Sequence, residues 1–314
     1  MAGDEANDVV LGIDLGGTDL KAALVDREGR LEGFHKRPSR TLESREAPYR
    51  AIVDAVEALR DAAPRAPVAL GLGSPGAIDA REGRLVGRTA HLPHWSSEPL
   101  AETLAQRLGL PVRVDNDANL AALAEHRLGA ARASRVALVV TLGTGIGCGI
   151  VVDGRVVRGA HGGAGELGHL PFGDGARPCA CGVEGCIEPE ASAGGLLARA
   201  RDEGLDVSDA AGVFAAAARG DARANALVDR TSDRLAAVLA TGIHLLDPDR
   251  VVLGGGLAEA GEPLFARVRE ALARYTLASH RERVTIVPAA LGERAGTVGA
   301  GLLAWESIRA ETAS

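Results

Sequence analysis

The chain has 314 residues, 46% hydrophobic and 25% charged, with a formal net charge of -7. That length suffices for a sizeable core arranged as one large or two medium domains, and the acidic balance excludes a global electrostatic pull toward nucleic acid or anionic lipid. The opening Met-Ala-Gly-Asp-Glu-Ala-Asn-Asp is polar and acidic where a secretory signal is basic and then apolar. No apolar run reaches the roughly 18 residues of a membrane span, so a soluble, cytoplasmic chain with no nucleic-acid or membrane partner is expected.

In chain order, Val9 to Ile13 is a short apolar run ending in Asp14 and two glycines, and Leu20 to Val25 is a second run ending in Asp26 and the turn Glu28-Gly29. This predicts strand, glycine turn, strand. Between Ala47 and Ala63 the residues Ile52, Val53, Val56 and Leu59 recur at helical spacing, and Pro64 and Pro67 close the helix. Val68 to Leu72 is then a strand leading into the turn Gly73-Ser74-Pro75-Gly76. Pro99 to Leu108 predicts a helix, Val112 to Val114 a short strand, and Ala118 to Leu128 another helix. Arg135 to Thr141 and Gly147 to Val152 resume the strand-turn-strand pattern, and helical stretches around Asn225 to Leu246 and Leu264 to Tyr275 flank a strand at Arg250 to Leu253. The alternation argues for an α/β class, with the main boundary near Ala118.

One internal similarity stands out. Asp14-Leu15-Gly16-Gly17-Thr18, running on to Leu24-Val25-Asp26, is echoed by Thr141-Leu142-Gly143-Thr144-Gly145, running on to Val151-Val152-Asp153. Such an echo arises by chance among glycine-rich turns or reports a duplicated domain with two phosphate-facing hairpins. Glycine has no Cβ and tolerates conformations in which successive N–H groups converge on a polyphosphate, so two hairpins can clamp one nucleotide. Asp14 at the strand end suits Mg²⁺ held through water; an ordinary tight turn accounts for this motif almost as well. Leu253-Gly254-Gly255-Gly256-Leu257 also follows a strand and precedes a helix, which fits either close approach to an adenosine or a plain turn.

Asp115-Asn116-Asp117-Ala118-Asn119 lies between a strand and a helix. A helix cap accounts for one of these polar residues; phosphoryl transfer to a hydroxyl needs a carboxylate and polar neighbours at such a strand end. Further on, His161-Gly-Gly-Ala-Gly-Glu166-Leu-Gly-His169 precedes Cys179-x-Cys181-Gly-x-x-Gly-Cys186-Ile-Glu188. His169 with Cys179, Cys181 and Cys186 completes the His-Cys₃ set of closed structural zinc sites, with no position left for water. Three cysteines in one short segment suit a metal in a reducing compartment better than a disulfide framework. Cys148 stands apart as a small buried residue.

Taken together these motifs resemble the ROK group of repressors, open reading frames and kinases over nearly the whole chain, from Asp14–Thr18 through Gly73–Gly76, Asp115–Asn119, Gly165–His169 and the cysteine cluster to Leu246-Asp247-Pro248 and Gly254–Gly256. The resemblance implies the actin-like ATPase (ribonuclease H-like) fold of duplicated α/β domains, with ATP and a sugar in the cleft and a homodimer or homotetramer as the assembly. It places an N-terminal domain at 1–118 and a larger domain with the zinc loop at 119–296, a helix from about 297 to 314 packing back on the first. By the resemblance Asp117 is the base for the sugar's 6-hydroxyl, and Gly76, Asn116, Glu166, His169 and Glu188 bind the sugar. His169 then serves both zinc and sugar, one ring nitrogen each. Gly16, Gly17, Thr18, Gly143, Thr144 and Gly145 meet the phosphates, Asp14 the Mg²⁺, and Gly254, Gly255 and Gly256 the adenosine.

Glucose is the expected acceptor; amino or N-acetylated sugars, mannose and fructose are alternatives that pocket shape decides. A sugar-sensing repressor of the same group is disfavoured, because few residues precede Val9 and the charge is acidic. An ATPase without a sugar site is disfavoured by the Asp115–Asn119 cluster and the zinc loop. Asp19 stands where many members have Lys or Asn, His91-Leu92-Pro93-His94-Trp95 where relatives often show Asn-Leu-Pro-Gly-Trp, and His244 at a frequent Asn. These departures bear on substrate preference.

Overall fold

The computed structural model describes residues 8–312, with the side chains of 309–312 excepted. The acidic opening segment and the last residues of the expected C-terminal helix fall outside that range. Two compact units share the chain: the first takes residues 8–124, 158–164 and 293–312, the second 125–157 and 165–292.

The first unit is built on β1 (Val9–Leu15), β2 (Asp19–Val25), β3 (Leu31–Pro38), β4 (Pro67–Ser74), the short hairpin β5 (Ile78–Asp79) and β6 (Arg84–Leu85), and β7 (Val112–Asn116). Its main sheet has the order β3-β2-β1-β4-β7. β1 runs antiparallel to β2 and parallel to β4, and β4 runs parallel to β7. β1 reads as a nearly continuous apolar run because both faces are covered. Val9, Leu11, Ile13 and Leu15 join the core beneath α1 (Ala47–Ala62) and α2 (Leu100–Leu108), whereas Val10 packs on the opposite face with Ala304 and Trp305 of the C-terminal helix, Ala295–Thr312. Gly12 and Gly71 sit side by side in register on β1 and β4. A Cβ on either would run into the backbone of that helix, at Thr297 and Ala300. Glycine here serves close approach and not a turn.

α3 (Asp117–Leu128) begins in the first unit and ends in the second. The second sheet comprises β8 (Val136–Leu142), β9 (Ile146–Val152), β10 (Arg155–Val156), β11 (Arg250–Gly254) and β12 (Thr285–Pro288), in the order β10-β9-β8-β11-β12. β8 is antiparallel to β9 and parallel to β11, and β11 is parallel to β12. Both sheets therefore have one topology. Helices α4 (Glu188–Ala191), α5 (Ala193–Asp202), α6 (Ala210–Ala218), α7 (Ala222–Leu246), α8 (Glu262–Tyr275) and α9 (Ala278–Arg281) complete the unit. α7 starts where the Asp221 side chain accepts from the backbone N–H groups of Arg223 and Ala224. It buries Leu227, Val228, Leu235, Val238, Leu239 and Ile243 along one stripe against α8 and β8.

Candidate active site

In the first unit, Asp14 closes β1 beside the Gly16–Asp19 turn, which is fixed by Gly16 N–H donating to the Asp19 carbonyl at 2.8 Å. The side chain is 16% exposed, with Lys21 Nζ 3.8 Å away across the strand pair. Burial pushes the Asp14 carboxyl from 3.8 up to about 6, Lys21 opposing the rise and nearby Asp117 adding to it. Thr18 is exposed at the tip of the turn. The turn is braced from outside by the Thr41 hydroxyl donating to the Gly17 carbonyl at 2.7 Å and by the His91 ring lying against Gly17.

The Asp115–Asn119 cluster divides its labour. Asp115 is buried, and its Oδ1 accepts from Asn116 N–H at 2.8 Å and Asn119 Nδ2 at 3.0 Å. Its Oδ2 accepts from Arg158 Nε at 2.7 Å and lies 2.6 Å from Nη2 of the same guanidinium. Asn116 caps α3, its Oδ1 accepting from Ala118 N–H at 2.9 Å and Asn119 N–H at 3.1 Å, while its Nδ2 donates to the Gly76 carbonyl at 3.0 Å. Gly76 holds φ at +92°, a left-handed conformation suited to glycine. Asp117 stands in the first turn of α3, part-exposed, with Oδ1 accepting from Ala118 N–H at 2.8 Å. The favourable end of the helix dipole faces this carboxylate. The cluster thus combines a supported scaffold, Asp115, Asn116 and Asn119, with one accessible carboxylate.

In the second unit the Gly143–Gly145 turn closes through Gly143 N–H donating to the Gly145 carbonyl at 3.0 Å. Glu188, at the start of α4, accepts from Ile146 N–H at 2.9 Å, and its carboxylate lies where a Cβ on Gly145 would have to go. Thr144 is exposed. Gly254 pairs with Thr141, which sets the Gly254–Gly256 turn beside this hairpin at the carboxyl ends of β11 and β8. Gly255 packs on the Leu142 backbone with φ at +82°, while Gly143 and Gly256 face open space. Glu125, buried near the end of α3, accepts from the N–H groups of Ala130, Ala290 and Leu291 at 2.7, 3.1 and 2.8 Å. It ties down the segment after β12, and no local sequence signal reveals its partners.

The loop before α4 brings His169, Cys179, Cys181 and Cys186 together, with their ligand atoms all within 4.8 Å of one another. His169 Nδ1 lies 3.6 Å from Cys179 Sγ, and Cys181 Sγ lies 3.5 Å from Cys186 Sγ. Tetrahedral zinc with ordinary Zn–S and Zn–N bonds needs donor separations of about 3.5–3.8 Å, so the donor set fits. Val183 N–H donates to Cys181 Sγ at 3.4 Å, which favours a thiolate there. The other ring nitrogen of His169, Nε2, lies 3.7 Å from the Glu166 carboxylate. Burial raises the Glu166 carboxyl, with His169 opposing and Glu188 adding to the rise. Cys148 is buried apart from the cluster, and burial pushes its thiol up to about 12.

A family model described as the ROK family matches residues 10–307. The chain belongs to the ROK family. It is 35% identical over 314 residues to the glucokinase of Thermotoga maritima, covering 95% of this chain and 98% of that one. It is 37% identical over 298 residues to the N-acetylmannosamine kinase of Citrobacter koseri, covering 94% and 98%. Among solved structures, the ROK glucokinase of Streptomyces griseus in complex with glucose and AMPPNP superposes with a TM-score of 0.84 at 32% identity, over 95% of this chain and 99% of that chain. The fold is the actin-like ATPase fold, and no helix among the described residues is long and apolar enough to cross a membrane.

Two departures from the ROK pattern have structural explanations. Asp19 pairs with Lys36 Nζ at 2.9 Å, so position 19 supplies an anion to β3 instead of a cation to the turn. His244 Nε2 accepts from Leu277 N–H at 3.2 Å and stacks edge-on with His280, fastening the end of α7 to the start of α9. In the His91–Trp95 segment, His94 Nε2 lies 3.1 Å from the Leu42 carbonyl and Trp95 is buried, its Nε1 donating to the Arg45 carbonyl at 2.8 Å. His91 alone of the segment's histidines rests on the Gly16–Asp19 turn.

Proposed function

We infer that this chain is an ATP-dependent sugar kinase of the glucokinase type, which transfers the γ-phosphoryl group of ATP to the 6-hydroxyl of glucose. The observation that carries this reading is the end-to-end similarity to a glucokinase crystallised with glucose and AMPPNP. Asp117 accepts the proton of the 6-hydroxyl as that oxygen attacks phosphorus and the bond to the β-phosphate oxygen breaks, releasing ADP. Asn116, Glu166, His169 and Glu188 hydrogen-bond the remaining hydroxyls, and Gly76 lies close against the ring. The Gly16–Thr18 and Gly143–Gly145 turns take the phosphates with their N–H groups, Asp14 takes Mg²⁺ through water, and the Gly254–Gly256 turn takes the adenosine. The two compact units correspond to the two actin-like domains.

His169, Cys179, Cys181 and Cys186 would hold zinc, which as a four-ligand site would supply structure and not chemistry. With Nδ1 of His169 on the cysteine side, its Nε2 stays beside Glu166 and available to the sugar. Thiolate ligands call for a reducing compartment, which favours the cytoplasm, and a homodimer or homotetramer is the proposed assembly. An N-acetylmannosamine kinase is the second reading, favoured by relatives of that activity at up to 37% identity.

A coupled ADP-release assay with ATP, Mg²⁺ and a panel of glucose, glucosamine, N-acetylglucosamine, N-acetylmannosamine, mannose and fructose tests both readings. Turnover on glucose well above the others is the expected result. Preference for N-acetylmannosamine selects the second reading, and silence on every sugar by folded, zinc-loaded protein overturns both.

A further inference from the structure

We propose that Arg158 is a positioning residue for phosphoryl transfer, setting the β7–α3 junction that carries Asp117; this rests on Asp117 being the base, as argued above. Arg158 lies outside every motif singled out in the sequence. It opens the short segment 158–164, which leaves β10 of the second unit and clusters with the first. From there its guanidinium places both Nε and Nη2 on one oxygen of Asp115, at 2.7 and 2.6 Å. The Asp115 side chain is 1% exposed and the arginine 32%, so an interior carboxylate is matched by a cation reaching in from the rim.

The same carboxylate uses its other oxygen to hold Asn116 N–H and Asn119 Nδ2. Asn116 in turn caps α3 and donates to the Gly76 carbonyl. A single chain of charge-assisted and neutral hydrogen bonds therefore runs from Arg158 through Asp115 to Asn116 and Asn119, before and after Asp117 in the chain. The anchor is sharpened by Gly162, where a Cβ would run into the Ile78 carbonyl of β5. The segment is thereby held close against β5 in the same unit that carries Asp115. Lysine keeps the charge but not the planar fork.

Without Arg158 the buried Asp115 carboxylate loses its counter-charge and its reason to stay in place. The junction then relaxes toward solvent and Asp117 with it. A displacement near 1 Å at a reacting group costs on the order of 100-fold in rate, whereas the Gly143–Gly145 and Gly254–Gly256 turns belong to the other unit.

The test is steady-state kinetics of Arg158→Ala and Arg158→Lys on the sugar that the wild type phosphorylates, with melting curves on both. The expected result is a kcat lowered by about 10- to 100-fold in Arg158→Ala, with the KM for ATP near that of the wild type and part of kcat restored by added guanidinium ion. Arg158→Lys, in which the cation remains for folding, is expected between the two. A folded Arg158→Ala with wild-type kcat, or an Arg158→Lys indistinguishable from wild type where the alanine variant fails to fold, overturns the proposal. So does a parallel loss of kcat and ATP affinity without guanidinium rescue, which marks a structural role alone. Wild-type inactivity on every sugar instead refutes the kinase reading, so the two failures are distinct.

Discussion

The buried carboxylate Asp14 gives a measurable linkage between pH and stability. Its carboxyl is raised from 3.8 to about 6, chiefly by burial, which at 1.36 kcal/mol per unit amounts to about 3 kcal/mol of destabilisation once the group is ionised in the folded state. Because the folded-state value lies above the unfolded one, the folded chain holds the proton more tightly. The group's contribution to stability is therefore complete below 3.8 and is lost as the pH climbs through 6. In Asp14→Asn this titration is absent, and Lys21 loses its partner at 3.8 Å.

Subtracting the two unfolding free energies, measured in urea from pH 5 to pH 8 without nucleotide or Mg²⁺, isolates the titration of one carboxyl from the rest. The linkage relation puts on the order of 1 kcal/mol of the total effect within that window. The variant should therefore gain on the wild type by about that amount from pH 5 to pH 8, while its sugar-dependent turnover should collapse if Asp14 holds Mg²⁺ as proposed. A difference that stays flat, or that shrinks as the pH rises, refutes the reasoning.

Asp117→Asn should lower turnover by about 10²–10⁴-fold, the usual contribution of a positioned base, with glucose affinity by calorimetry retained; near-normal turnover removes Asp117 from that role. Cys181→Ser should bring zinc content, measured by elemental analysis, to background and lower the melting temperature with it, and a zinc-free variant as stable and active as the wild type would falsify the structural-metal reading. Gly71→Ala should destabilise by about 1–3 kcal/mol through overpacking against Ala300 of the C-terminal helix. A melting temperature unchanged from wild type would show that the helix yields there at no cost.

Much of the fold was legible because its central strands are apolar on both faces and end in glycine turns, as Val9–Ile13 and Arg135–Thr141 do. The edge strands β3 and β12 were not. β3 reads Leu-Glu-Gly-Phe-His-Lys-Arg-Pro, an exposed edge with no clean alternation, and β12 is four residues long. Gly12 and Gly71 drew no reading within their strands, and the C-terminal helix lying across them explains the missing side chains. At the candidate site the residues that carry polar chemistry stood out, but their supports did not. Arg158 meets Asp115 across 43 positions and Glu125 meets Ala290 across 165, so neither pairing leaves a local pattern. The helix cap is Asn116, whose Oδ1 accepts from the N–H groups of Ala118 and Asn119, while Asp117 stands in the first turn behind it.

The two sheets share one topology, yet their hairpins have diverged in a way that charge explains. In the first, Leu15 pairs with Leu20 across a four-residue turn and Asp14 with Lys21 behind it; in the second, Leu142 pairs with Ile146 across a three-residue turn and Thr141 with Gly147. A carboxylate thus occupies one copy and a hydroxyl the equivalent place in the other. Burying Asp14 already costs about 3 kcal/mol, and Asp117 adds like charge nearby, so a second copy of the carboxylate would add cost and repel phosphate oxygens. The second hairpin uses its polar support differently: Glu188 braces its end from outside through Ile146 N–H and leaves Gly143 open. On the reading proposed above, an acid behind only one of the two turns would give Mg²⁺ a single place to bind and leave the other turn neutral for phosphate.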